Sequence, residues 1–88
     1  MNELSKLPNI GKSLEQQLLQ SGIETPQQLK EIGSKQAWLD IKAIDPSACY
    51  NRLCSLEGAI QGVRWHDLND ETKKDLKGFY NDFKACLL

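Results

Sequence analysis

An all-α fold is predicted by three features of this sequence. Apolar residues recur at steps of three and four in its two longest patterned stretches, residues 49–63 and 72–87. Helix-start residues (Ser13, Thr25-Pro26, Ser34, Asp45-Pro46, Asn69-Asp70) and helix-stop glycines (Gly22, Gly33) punctuate the chain at short intervals. No stretch alternates with the two-residue period of a strand. The expectation is one small domain over residues 1–88, about five short helices joined by tight turns. With 40% hydrophobic residues, a chain of 88 residues has material for a core, burying roughly 60 to 70% of the surface its unfolded form exposes.

Residues 2–6 have room for at most one helical turn. The first long helix is expected over 13–22, with Leu14 and Leu18 on one face. Ser13 and Gln16 form the S-x-x-Q pattern of a capping box. Gly22-Ile23 reads as a stop with an apolar residue folding back. The second helix starts at Thr25-Pro26, cap then proline at the first position, with Gln28 three after the cap, and turns Leu29 and Ile32 inward before Gly33. Ser34 is expected to cap the third, whose inner face carries Ala37, Trp38, Ile41 and Ile44. Trp38 is read as a core anchor, with a base-stacking platform as the alternative.

Asp45-Pro46 is expected to open a fourth, central helix carrying Cys49, Leu53, Leu56, Ile60 and Val63 inward. Gly58 and Gly62 inside it would each cost about 1 kcal/mol relative to alanine, so a neighbouring helix is expected to cross there. Asn69 or Asp70 caps the last helix, which turns Thr72, Leu76, Phe79, Phe83 and Leu87 inward with Tyr80 alongside. Gly78 sits awkwardly in its interior. The apolar end Ala85-Cys86-Leu87-Leu88 is either buried or sticky, and in the second case it favours a homodimer.

The chemistry-bearing stretch is Leu7-Pro8-Asn9-Ile10-Gly11-Lys12. Pro8 fixes its own φ and pushes Leu7 away from the helical region, Gly11 has no Cβ to keep a ligand off, and Asn9 tolerates left-handed geometry. The helix that follows begins with unbonded N–H donors and a partial positive charge, an arrangement suited to phosphate. The candidate anion contacts are Lys6, Asn9, Ile10, Gly11 and Lys12; Glu15 in the first helical turn competes with them. The alternative is a turn that only caps a helix. A second candidate surface is Arg64-Trp65-His66, able to grip a partner or stack on a base. Its alternative is a Trp65 that plugs the core while Arg64 and His66 cap carbonyls.

Composition narrows the function classes. The net charge is −1 and evenly spread, with five lysines against five acids in 1–44 and six cations against seven acids in 45–88. Nucleic-acid affinity draws mainly on cations that release counterions, so DNA contact here has to be local and salt-sensitive. The three cysteines form no C-x-x-C pair, which argues against a zinc site or disulfide framework. Cys49 and Cys54 diverge by about 140° on a helix and are expected to be reduced core residues. His66, the sole histidine, has no nucleophile or metal set around it, so no catalytic residues, metal or cofactor are expected. No apolar run approaches the roughly 20 residues of a membrane span and no leader pattern opens the chain, so a cytoplasmic protein is expected.

Leu-Pro-x-Ile-Gly before an amphipathic helix, then Gly22-Ile23-x-Thr25-Pro26-x-x-Leu29, resembles a helix-hairpin-helix element of DNA-binding proteins. Asn9 stands where that hairpin has its first glycine, and the leading helix is short. A more specific stretch is 56–68, Leu-Glu-Gly-Ala-Ile-Gln-Gly-Val-Arg-Trp-His-Asp-Leu, preceded by Ala43-Ile44-Asp45-Pro46-Ser47-Ala48-Cys49. Together these resemble the C-terminal domain of the TfoX/Sxy family, bacterial proteins associated with competence for DNA uptake, from about Leu4 to Phe83. The resemblance implies a non-enzymatic regulatory module that takes DNA or a regulatory protein as partner. Full-length members of that family carry an additional N-terminal domain. The alternative is a protein-interaction adaptor whose hairpin is purely structural.

Overall fold

The computed structural model describes residues 3–86, in which five α-helices follow a single 3-10 turn at Glu3–Lys6: α1 (Lys12–Gln20), α2 (Pro26–Ile32), α3 (Ser34–Ile44), α4 (Tyr50–Gln61) and α5 (Asp70–Cys86). A second 3-10 turn, Trp65–Asp67, lies in the connector between α4 and α5. Among the described residues there is no strand, and no helix is long and apolar enough to cross a membrane. The all-α expectation holds.

The helices α3 and α4 pack on each other as the central pair; α1 and α2 lie against α3, and α5 and the 65–67 turn against α4. One continuous apolar cluster results, from Leu4 through Leu18, Ile23, Leu29, Trp38 and Ile41 to Leu53, Leu56, Leu68 and Leu76. Trp38 is its largest member and has no exposed surface. Phe79, Tyr80 and Phe83 of α5 meet it edge-on with ring centroids 6.1, 5.6 and 5.0 Å away, a geometry that sets positive ring edges against negative faces. Its Nε1–H, which burial would otherwise leave unsatisfied, donates to the Cys49 carbonyl at 3.0 Å. Trp38 is a core anchor.

Several local expectations hold for the reasons that produced them. Gly22 adopts φ +87°, and the amides of Gly22 and Ile23 close α1 by bonding back to Leu19 and Leu18 while Ile23 is fully buried. Thr25 Oγ1 accepts from the Gln28 amide at 3.1 Å, and Gln28 Oε1 accepts from the Glu24 amide at 2.7 Å. Asn69 Oδ1 caps α5 by accepting from the Thr72 amide at 2.8 Å. On α5, Leu76 is buried and Phe79, Tyr80 and Phe83 pack inward. Leu87 and Leu88, on which the sticky-end argument for a homodimer rested, lie outside the described residues.

Other expectations are corrected. The α1 cap is Gly11 rather than Ser13, and among the described residues there is no side-chain cap hydrogen bond at that helix start. Ser34 is buried inside α3 rather than capping it, because its hydroxyl donates to Glu57 Oε1 at 2.6 Å. Ile32 and Ile44, read as inward, are exposed. Pro46 does not open α4, which starts four residues later at Tyr50. Asp45 is drawn instead into a polar knot: Oδ1 accepts from the Ser47 amide and hydroxyl, and Oδ2 from Gln17 of α1 at 2.6 Å and Arg52 of α4 at 2.8 Å. Lys42 donates to the Pro46 and Ala48 carbonyls and holds the same turn. Cys49 is therefore an exposed residue ahead of α4, and only Cys54 of that pair is buried.

Candidate functional site

The 7–12 turn keeps the geometry its residue types permit. Asn9 sits at φ +68°, the left-handed region that asparagine enters more readily than most residues. Its side chain is what anchors the turn. Nδ2 donates to the carbonyls of Val63 at 2.9 Å and Ser55 at 3.4 Å, and Oδ1 accepts from the Trp65 amide at 3.1 Å. One amide group thus clamps the N-terminal turn to α4 and to the connector 54 to 56 residues along the chain.

This clamp explains Gly58, helix termination explains Gly62, and neither faces a crossing helix. Gly62 is the left-handed stop of α4 at φ +78°, with the amides of Gly62 and Val63 bonding back to Ala59 and Gly58. Gly58 is buried under the clamp. A Cβ built there would stand 2.5 Å from Asn9 Nδ2, 2.7 Å from the Val63 carbonyl oxygen and 3.2 Å from Trp65 Cα. The close neighbour expected at Gly58 exists, but it is the chain's own turn and connector.

The two groups of candidate residues, proposed from sequence as rival surfaces, are thereby brought side by side. Lys6 and Lys12 are exposed on the N-terminal side of the clamp, Arg64, Trp65 and His66 on its C-terminal side. Trp65 keeps 40% of its surface open and meets His66 edge-on at 5.6 Å. Ile10 contributes chiefly to the core, and its N–H turns back to the Leu7 carbonyl at 3.4 Å. Gly11 is extended and exposed, and among the described residues the amides of Gly11 and Lys12 have no partner. Beside them lies a cleft of about 440 Å³ lined by Asn9, Gly11, Lys12, Gln17, Asn51 and Arg52, among others. Arg52 is committed to Asp45, and Glu15 occupies the first turn of α1.

One feature of this region escapes a reading by sequence alone, and another was readable there. The carbonyls of Ser55 and Val63 act as acceptors for Asn9, and backbone carbonyls carry no residue signature. The stop at Gly62-Val63 did have one, since it repeats the Gly22-Ile23 pattern that ends α1. Elsewhere, burial raises the Cys54 thiol above its ordinary range, so it is a poor nucleophile. Among the described residues no group of three or more His, Cys, Asp or Glu side chains is arranged to hold a metal ion.

The resemblance carried by residues 43–49 and 56–68 is matched by a family model for the TfoX C-terminal domain, which covers residues 1–80. The chain belongs to the TfoX C-terminal domain family. Two solved structures resemble this TfoX C-terminal domain closely. One is an uncharacterized protein from Listeria monocytogenes in a triclinic crystal form, 52% identical, with a TM-score of 0.90 over 92% of each chain. The other is a protein of unknown function from Listeria monocytogenes in a tetragonal form, also 52% identical, with a TM-score of 0.88 over 91% of this chain and 98% of that one. Among curated proteins none matches.

Proposed function

We propose that this domain is a non-enzymatic regulatory module that holds the DNA backbone weakly and without reading bases, in the competence-related setting its family implies. The observation that carries this reading is the Asn9 clamp. It joins the open amides of Gly11 and Lys12 and the Lys6 and Lys12 side chains to the exposed Arg64-Trp65-His66 segment. Backbone amides and lysines position a duplex, and an exposed tryptophan beside arginine adds a surface that stacks or packs against sugar and base.

The test is a titration of labelled duplex DNA at 50 and 200 mM salt. A handful of phosphate contacts predicts weak binding that declines several-fold across that range. A Cβ at Gly11 meets nothing within 4 Å and φ there is −91°, so Gly11→Glu leaves the fold intact while setting a carboxylate beside the open amides. Binding should vanish in that variant. No binding by wild type at ~100 μM protein in low salt, weaker than ordinary nonspecific binding, rejects the reading.

The 40% exposure of Trp65 also supports a second reading, a protein-interaction adaptor. It predicts a specific partner in a pull-down that Trp65→Ala releases. A partner retained equally by that variant counts against it.

A further inference from the structure

The balanced charge of the whole chain conceals an uneven distribution of free cations. Among the described residues, Lys35 pairs with Asp75, Arg52 with Asp45, Lys42 and Lys73 bond to carbonyls, and Lys84 lies over the Tyr80 ring. That leaves Lys6, Lys12, Lys30, Arg64, Lys74 and Lys77 with no hydrogen bond, ion pair or ring contact. Lys6, Lys12 and Arg64 flank the Asn9 clamp. Lys74 and Lys77 belong to a groove of about 380 Å³ on α5, lined by Tyr50, Asp70, Lys73, Lys74 and Lys77.

The groove is tied to the clamp by an unbroken run of contacts. Trp65 bonds Asn9, its ring meets His66, and the His66 carbonyl accepts from Lys73 Nζ at 3.3 Å. The Lys73 carbonyl in turn accepts from the Tyr50 hydroxyl at 3.1 Å. Lys74 and Lys77, three apart on a helix, are surface neighbours. The lining of this groove holds three lysines and one carboxylate, Asp70, while Asp75 and Asp82 line the neighbouring hollow that Lys74 also borders. Burial, with a smaller contribution from Cys54, pushes the Tyr50 phenol up to about 12, so the groove wall stays uncharged there at any working pH.

We propose that the DNA-holding surface continues past His66 into the α5 groove, where Lys74 and Lys77 supply a second pair of phosphate contacts. The proposal rests on the DNA-holding role of the Asn9 clamp and extends it. The groove's excess of cations suits a polyanion, and its continuity with the Trp65 segment suits one long enough to touch both.

The experiment measures the dependence of duplex affinity on salt for wild type, the double variant Lys74→Gln/Lys77→Gln, and Lys30→Gln, with circular dichroism confirming the fold of each. All three sites are exposed. The double variant should bind more weakly at low salt, with a slope of log K against log salt shallower by about 1.8, roughly 0.9 for each phosphate no longer neutralised. Lys30→Gln should keep the wild-type slope. A wild type that binds and is abolished by Gly11→Glu, but whose slope is untouched in the double variant, overturns this inference and leaves the hairpin reading standing. Equal flattening by Lys30→Gln overturns it too, since net charge alone would then explain the effect. So does Lys74- and Lys77-dependent binding of a polyglutamate peptide with an unchanged DNA slope. A wild type that does not bind DNA at all removes both readings together.

Discussion

The clamp around Asn9 and the aromatic side around Trp38 each hold a tryptophan and involve a helix with a glycine in its interior, and the two regions behave in opposite ways. Trp38 has no exposed surface and sits among three aromatic rings; Trp65 is 40% exposed and is held by its backbone amide rather than its ring. Gly58 is occluded by three groups within 3.2 Å of a Cβ, whereas a Cβ on Gly78 in α5 meets nothing within 4 Å. The Trp38 side is built by apolar area, which is non-directional and tolerant of small shifts. The clamp is built by three directed hydrogen bonds over a missing side chain, so a single methyl group disrupts it. It also leaves 40% of the Trp65 surface open.

The sharpest way to break this contrast is Trp38→Ala. Removing a fully buried indole from the centre of the core should destabilise by about 3–5 kcal/mol, a large share of the stability of a domain this small. Urea unfolding followed by circular dichroism measures it. Next comes Gly58→Ala. Alanine is the better helix former, so a gain of about 1 kcal/mol is expected if helix propensity decides. The contact with the Val63 carbonyl predicts instead a net loss of about 1–3 kcal/mol, the usual range for overpacking, together with a change in Trp65 fluorescence as the connector lifts. Gly78→Ala is the matched control. With open space and an exposed helical position it should stabilise by about 0.5–1 kcal/mol, and a loss there would erase the distinction between the two glycines.

The smallest effect at neutral pH concerns a second polar junction, the Asp45 knot. The Ser47 hydroxyl foremost, then Arg52, the Ser47 amide and Gln17, hold the Asp45 carboxyl well below the ordinary aspartate value of 3.8. Because the folded-state value is the lower one, the stabilisation is fully present above pH ~4 and is lost as pH falls through the range below it. Asp45→Asn should therefore be less stable than wild type at pH 7, with the gap closing on acidification below pH 4. Unfolding curves between pH 2 and 7 test this, and a gap that stays constant refutes it.

Much of the fold was legible because it is written in local backbone chemistry. Thr25-Pro26, Gly22-Ile23 and Asn69 act within a few residues of themselves, and α5 presents the apolar face its spacing announces. Two of the misreadings share a cause. Ser34 and Asp45 have the side chains of helix caps, but Ser34 bonds Glu57 far along the chain, and Asp45 bonds Ser47 in its own turn together with Gln17 and Arg52 on two helices. At the candidate site, the turn at 7–12 and the segment 64–66 were each visible as unusual residues. Their adjacency was not, since nothing in either stretch names the other.

The sequence by itself determined that the chain is helical, where most of its helices stop, and which residues at either end of α1–α4 carry unusual chemistry. Those are consequences of glycine and proline backbone freedom and of helical periodicity, which operate over a few bonds. Only the tertiary structure decided that Asn9 meets Ser55, Val63 and Trp65, that Gly58 exists to let them pass, and which lysines remain unpaired. Such pairings depend on how packed helices bring distant backbone groups within about 3 Å, a distance that hydrogen bonding requires and that separation along a chain does not encode.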